Sequence, residues 1–227
     1  MSWQRVFEDG FEGAFVDWAG IGELTVPEGW TPVWVEGDEP GVNHRPECDR
    51  ERVRVVSGAS AAKMFTVHAS HDGALMRRVE VRAGELVRVV GMGATFSQRC
   101  GQGIRIGIDP SGGTDHRSPA ICWSRWLSHY SDGWVGEQFV ELSVMAVAEG
   151  DVVSVFLASR SDYAAPVVAA YWDDVRVEQE GDVLPEPGPG DEPSEGDLAE
   201  AVAELAGSVQ ALAGAVELLA AAAAGAR

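Results

Sequence analysis

Hydrophobic and polar residues alternate along most of the first 178 positions. In "RVRVV" (52–56), Val53 and Val55 fall on one side and Arg52 and Arg54 on the other. The run "VEVRAGELVRVV" (79–90) reads as two strands joined by a tight Ala-Gly turn. "GIRIGID", "QFVELSVMAV", "VVSVFLAS" and "YWDDVRVE" repeat the two-residue period, with Gly, Asp and Ser clusters between them. About ten strands at short spacing and no helix of 3.6-residue period predict an all-β, antiparallel β-sandwich over 1–178.

The pattern then breaks. Residues 179–197 are rich in proline, glycine and acids and poor in apolar side chains, which predicts an extended linker. Beyond it Leu198, Val202, Leu205, Val209, Leu212, Val216 and Leu219 alternate spacings of four and three, a heptad seam with Leu at d and Val at a. Asp197 and Glu200 stand in capping-box positions for this helix over 198–227. A helix of this length carrying Gly207 and Gly214 is marginal alone in water, so its stability has to come from partners. The e and g positions are Ala or Ser, with no charge pairs to specify a dimer. The expectation is a homo-oligomer of three or more chains, or docking into a groove.

Charge narrows the class of partner. The 227 residues carry a formal charge of −19, and the stretch from Glu178 to Glu217 holds eleven acids and no Lys or Arg. Such a field repels phosphate backbones and argues against nucleic acid. The N-terminus lacks a basic start followed by an apolar run, so no signal peptide is expected, and no stretch reads as a membrane span. Cys48, Cys100 and Cys122 are widely spaced and odd in number, which ranks free buried thiols ahead of one disulfide and argues against zinc.

Tryptophan is the strongest hint of chemistry, supplying eight of the eighteen aromatic residues. "CWSRWLSHYSDGW" gathers Trp123, Trp126, His129, Tyr130 and Trp134 in one stretch, as a loop-borne platform for sugar rings would. Indole stacks on apolar C–H faces, while neighbouring polar side chains bond hydroxyls. His71 and Asp72 are candidates for a polar lining of the same face; Trp30 and Trp172 are expected in the core. In "GIDPSGGTDHRSP", Asp109 and Asp115 suit an Asx-rich turn better than a cation loop. No GxSxG, HExxH or phosphate loop is present. Asp174 and Glu178 on one strand face stand roughly 13 Å apart, too far for a glycosidase pair. No enzyme is expected.

In chain order, "FEDGFEGAF", "PEGW", "RVVSGASAAKMF", "VRAGELVRVVGMG" and "AAYWDDVRVE" resemble the signatures of carbohydrate-binding modules of families 4, 9 and 22, over about residues 6 to 178. The resemblance implies a jelly-roll, galactose-binding-like sandwich without catalytic activity. It also implies a structural calcium linking the first and last strands, carried onto Glu12, Ser57 and Asp173. Hard oxygen donors suit that ion. Two functions are then expected: a glycan or surface-polymer binder multimerised by its helix, or a phage virion component (capsid decoration, spike or tail fibre) that uses the helix for assembly. Both place the protein at an extracellular or virion surface after synthesis in the cytoplasm.

Overall fold

A computed structural model of the protein describes residues 2–37, 42, 44–97, 102–128 and 138–181. The heptad helix, nearly all of the acidic linker, Cys100, His129, Tyr130 and Trp134 lie outside the described residues.

Fourteen strands and no helix are found among the described residues. They are β1 (Trp3–Asp9), β2 (Phe15–Trp18), β3 (Ile21–Pro27), β4 (Thr31–Trp34), β5 (Glu47–Glu51), β6 (Ala61–Thr66) and β7 (Ala69–Glu80). The second half supplies β8 (Leu86–Ser97), β9 (Gln102–Asp109), β10 (Cys122–Trp123), β11 (Leu127–Ser128), β12 (Val140–Val147), β13 (Val152–Ala165) and β14 (Val168–Glu180). The larger sheet runs β12-β8-β14-β6-β5-β3-β2 with β1 also on β14, and the smaller runs β10-β9-β13-β7-β4 with β11 also on β9. All pairings are antiparallel except β3 with β5. This is an all-β sandwich of two sheets.

One face of each sheet is apolar, and the two faces close on each other. Met64, Val87, Val89, Trp172, Val175 and Val177 from the larger sheet share a core with Leu75, Val79, Ile104, Ile106, Ile108, Val155 and Leu157 from the smaller. Trp30 and Trp172 are both buried, as their setting in the sequence implied. Trp30 still satisfies its indole N–H, which donates to Asp9 Oδ2 at 2.8 Å. The tight turn expected between Val81 and Leu86 joins β7 to β8, with Gly84 at φ +80°.

The expected strand at "RVRVV" does not form. β5 ends at Glu51, whose Oε1 accepts the N–H groups of Arg52, Val53 and Arg54 at 3.0, 2.8 and 3.3 Å. Three successive amides spent on one carboxylate cannot join a ladder, so the chain turns and leaves Val53 83% exposed.

β14, the last described strand, pairs with the first. Its first half, Val168 to Trp172, pairs with β6, and its second half, Val175 to Glu180, pairs with β1. The change of neighbour coincides with a register shift between Asp173 and Arg176, and Asp174 sits at φ +46°.

Candidate ligand-binding face

The outward face of the smaller sheet carries the candidate site. Along β9 the side chains of Ile104, Ile106 and Ile108 enter the core, so Gly103, Arg105 and Gly107 face out. Strand register builds rows across the sheet. Asp72, Arg160 and Gly103 form one; Ala74, Ala158 and Arg105 the next; Met76, Phe156 and Gly107 a third, which Trp123 continues.

The two glycines are floor positions. A Cβ at Gly103 would lie 3.0 Å from Trp126 Cε3, and one at Gly107 would lie 2.5 Å from Trp123 Cζ3. Both indoles therefore settle closer to the strand than any other residue would allow. Arg105 spreads over the pair, its guanidinium carbon 3.8 Å from the Trp123 ring centre and 4.2 Å from that of Trp126. Such contacts attract through the ring quadrupole and lock a long side chain in place. Trp123 is also braced from below by Phe156, ring centres 6.0 Å apart.

Burial pushes the Arg105 pKa down from its ordinary value, Asp72 opposes that shift and Arg160 adds to it. The Arg105 Nε is buried with no hydrogen-bond partner among the described residues. Arg160 pairs with Asp162 at 2.8 Å, but both side chains are about half exposed, so the pair adds little stability. The 110–121 loop lies beside these rows, its Ile121 packed with Ala74, Met76, Phe156 and Ala158. Asx turns order the loop as expected: Ser111 N–H donates to Asp109 Oδ1 and Arg117 N–H to Asp115 Oδ1, both at 2.9 Å. Between the loop and β4 lies an open groove of about 530 Å³, lined among others by Trp34, Glu36, Asp115, His116 and Arg117.

Of the expected ligand contacts, Trp123, Trp126 and Asp72 come together here. His71 does not. It is fully buried, with Nδ1 3.0 Å from Thr66 Oγ1 and Nε2 2.8 Å from Ser159 Oγ. The strand period puts His71 and Asp72 on opposite faces, and the face with Leu75 and Val79 is the core. His129, Tyr130 and Trp134 lie outside the described residues. Arg105 and Arg160 were missed. The signal for Arg105 was present, an arginine between two glycines at alternate positions of an otherwise Ile-rich strand.

Glu12, Ser57 and Asp173, the expected calcium ligands, do surround one feature, the 56–60 turn where β14 changes neighbour. Asp173, fully buried, accepts the N–H groups of Val56 and Ser57 on Oδ2 at 2.7 and 3.3 Å and that of Asp174 on Oδ1 at 2.8 Å. Glu12 Oε1 accepts the N–H groups of Ala59 and Ser60, both at 2.9 Å, and these hold its carboxyl below the usual range. Ser57 Oγ donates to Asp174 Oδ1 at 2.7 Å. Calcium needs some six to eight oxygens turned to one point. Here backbone hydrogens face the carboxylates, and no cluster of three His, Cys, Asp or Glu able to hold a metal occurs among the described residues. These residues fit a hydrogen-bonded clasp and do not fit a calcium cage.

Asp174 and Glu178 are engaged elsewhere, Asp174 by Ser57 and Glu178 by Arg88 in a two-pronged pair of 2.8 and 2.6 Å. Cys48 and Cys122 are free thiols, the first buried as expected and the second exposed. No helix among the described residues is long and apolar enough to cross a membrane.

No protein-family model matches the sequence, and no curated protein sequence matches it. Solved structures match the chain at low similarity. A TmCBM61 structure in complex with β-1,4-galactotriose matches at 14% identity and a TM-score of 0.46, over 67% of this chain and 90% of that one. The CBM22-1 xylan-binding domain from Paenibacillus barcinonensis Xyn10C matches at 12% identity and a TM-score of 0.48, over 78% of this chain and 94% of that one. The enzymatically active domain of tailspike protein 4 from bacteriophage CBA120 matches at 10% identity and a TM-score of 0.46, over 67% of this chain and 20% of that one. Likeness this distant assigns neither fold nor function.

Proposed function

We propose that this chain is a non-catalytic glycan-binding module whose ligand lies on the outward face of the smaller sheet. The observation that carries the proposal is Arg105 seated across Trp123 and Trp126, both indoles lowered onto glycines beside Asp72. Sugar rings offer apolar C–H faces to half-exposed indoles. Arg105 and Arg160 donate to hydroxyls, and Asp72 accepts from them. The arginine is preorganised by its stack, so little rotamer entropy remains to be lost on binding. Jelly-roll strand order belongs to the same proposal, in keeping with the family resemblance of the sequence.

The heptad seam at 198–219 supports a multimer of three or more chains. The acidic linker then sets the effective concentration of the sites, and weak binding at each becomes avid binding to a polymer at an extracellular or virion surface.

The test is binding of the full-length protein, and of a form ending at Gly181, to plant and bacterial polysaccharides. The expected result is retention of the full-length protein, many-fold weaker retention of the truncated form, and loss with Arg105→Ala. A full-length protein that binds no polysaccharide overturns the proposal and leaves assembly as the role of the helix.

A further inference from the structure

The groove between β4 and residues 114–117 is outside everything the Trp-Arg platform requires, yet it abuts that platform. The backbone joins them: Val35, in the groove wall, donates its N–H to the carbonyl of Asp72 at 2.9 Å. Charge joins them too, since the Asp72 carboxylate acts on both Arg105 and His116. Asp72 therefore links the platform and the groove through its backbone and its charge.

Resting on the glycan-binding proposal above, we infer that this groove is a second subsite for a neutral sugar unit, read by His116, on the same chain that the Trp123–Arg105–Trp126 platform holds. His116 lines the open groove, and its Nε2 is buried behind that wall with no hydrogen-bond partner among the described residues. Buried polar atoms are normally paired, so an unpaired one beside solvent-sized space marks where a ligand atom belongs. The volume, about 530 Å³, falls within the roughly 300–1,000 Å³ typical of small-ligand sites.

The lining sets the ligand class. Burial, the largest effect, holds the His116 pKa below the ordinary histidine value; Asp72 and Asp115 oppose the shift, and Arg117 and Arg105 reinforce it. A neutral imidazole offers one donor and one acceptor, the complement of a hydroxyl that can both accept and donate. Glu36 on one wall and Asp115 and Arg117 on the other give the lining two carboxylates to one guanidinium, which disfavours an anionic ligand. Hydroxyl-bearing neutral sugars suit this lining better than uronates or phosphates. Trp34, half-buried in the same wall, adds an aromatic surface.

The test is calorimetric titration with β-1,4-linked xylo-, gluco- and galacto-oligosaccharides from disaccharide to hexasaccharide. For the wild type, affinity should climb with length until the chain spans platform and groove. His116→Ala should lower hexasaccharide affinity about tenfold and leave disaccharide affinity unchanged, while Trp126→Ala lowers both. His116→Gln, which keeps a donor and an acceptor, should restore part of the loss and controls for folding. A His116→Ala protein with the wild-type length dependence overturns the subsite, as does equal loss for short and long sugars. A wild type that binds none of these sugars overturns the glycan-binding proposal and the subsite with it. Length-independent wild-type affinity overturns the subsite alone.

Discussion

Gly107 and Trp123 are register partners on β9 and β10, and the indole lies so low that a Cβ at Gly107 would come within 2.5 Å of Trp123 Cζ3. The absence of a side chain at position 107 is what sets the height of the platform. Gly107→Ala should lift the indole, loosen the Arg105 stack and cost about 1–3 kcal/mol, the range for overpacking. The expected signature is a changed near-ultraviolet circular dichroism spectrum, a modest fall in Tm and a larger fall in sugar affinity. A variant with unchanged spectrum and affinity would refute this account of the floor.

The two platform tryptophans should separate by what lies beneath them. Trp123 packs on Phe156 and the Ile121 cluster, so Trp123→Ala should lower both stability and binding. Trp126 rests chiefly on Gly103 and Arg105. Trp126→Ala should therefore weaken binding with little change in Tm, as thermal melts beside titrations would reveal.

His71 should make the fold sensitive to mild acid. Burial lowers its pKa from 6.5 to about 4, so between these values the unfolded chain binds a proton that the folded chain does not. Stability from this residue is complete above about pH 6.5 and is lost as pH falls toward about 4, at no more than about 1.4 kcal/mol per pH unit. In NMR titration the His71 ring signals should stay flat from pH 8 to pH 5, where an exposed histidine would already have shifted.

The clasp at Asp173 should hold without metal. Asp173→Asn removes the charge that three amides address and should cost about 1–3 kcal/mol. Adding calcium or a chelator should leave the wild-type Tm unchanged. A rise of several degrees with calcium would restore the metal site that the resemblance implies.

The two described thiols should differ sharply in reactivity. Burial pushes the Cys48 thiol up to about 12, whereas Cys122 is exposed on β10. In a Cys100→Ser background, a thiol reagent at pH 8 should modify Cys122 in the native protein and Cys48 only on unfolding.

Much of the architecture was legible because β-structure writes a two-residue period. The alternations at 103–109, 138–147 and 152–159 became β9, β12 and β13, and the Ala-Gly turn became the β7–β8 connection. "RVRVV" carried the same period and failed, because Glu51 captured the amides that a ladder needs. Periodicity reports where side chains point and says nothing of competing acceptors.

The site divides in the same way. Sequence alone determined that His71 and Asp72 oppose each other, and that Gly103, Arg105 and Gly107 share a side, since successive residues of any strand alternate. It also supplied the heptad seam and the cluster containing Trp123 and Trp126. Which side of each strand would be core was decided only when the second sheet arrived to cover it. Tertiary structure sent His71 inward to Thr66 and Ser159, stacked Arg105 on two indoles eighteen and twenty-one positions along the chain, and turned backbone amides on Asp173. Those outcomes depend on partners distant in sequence, and a local period carries no information about them.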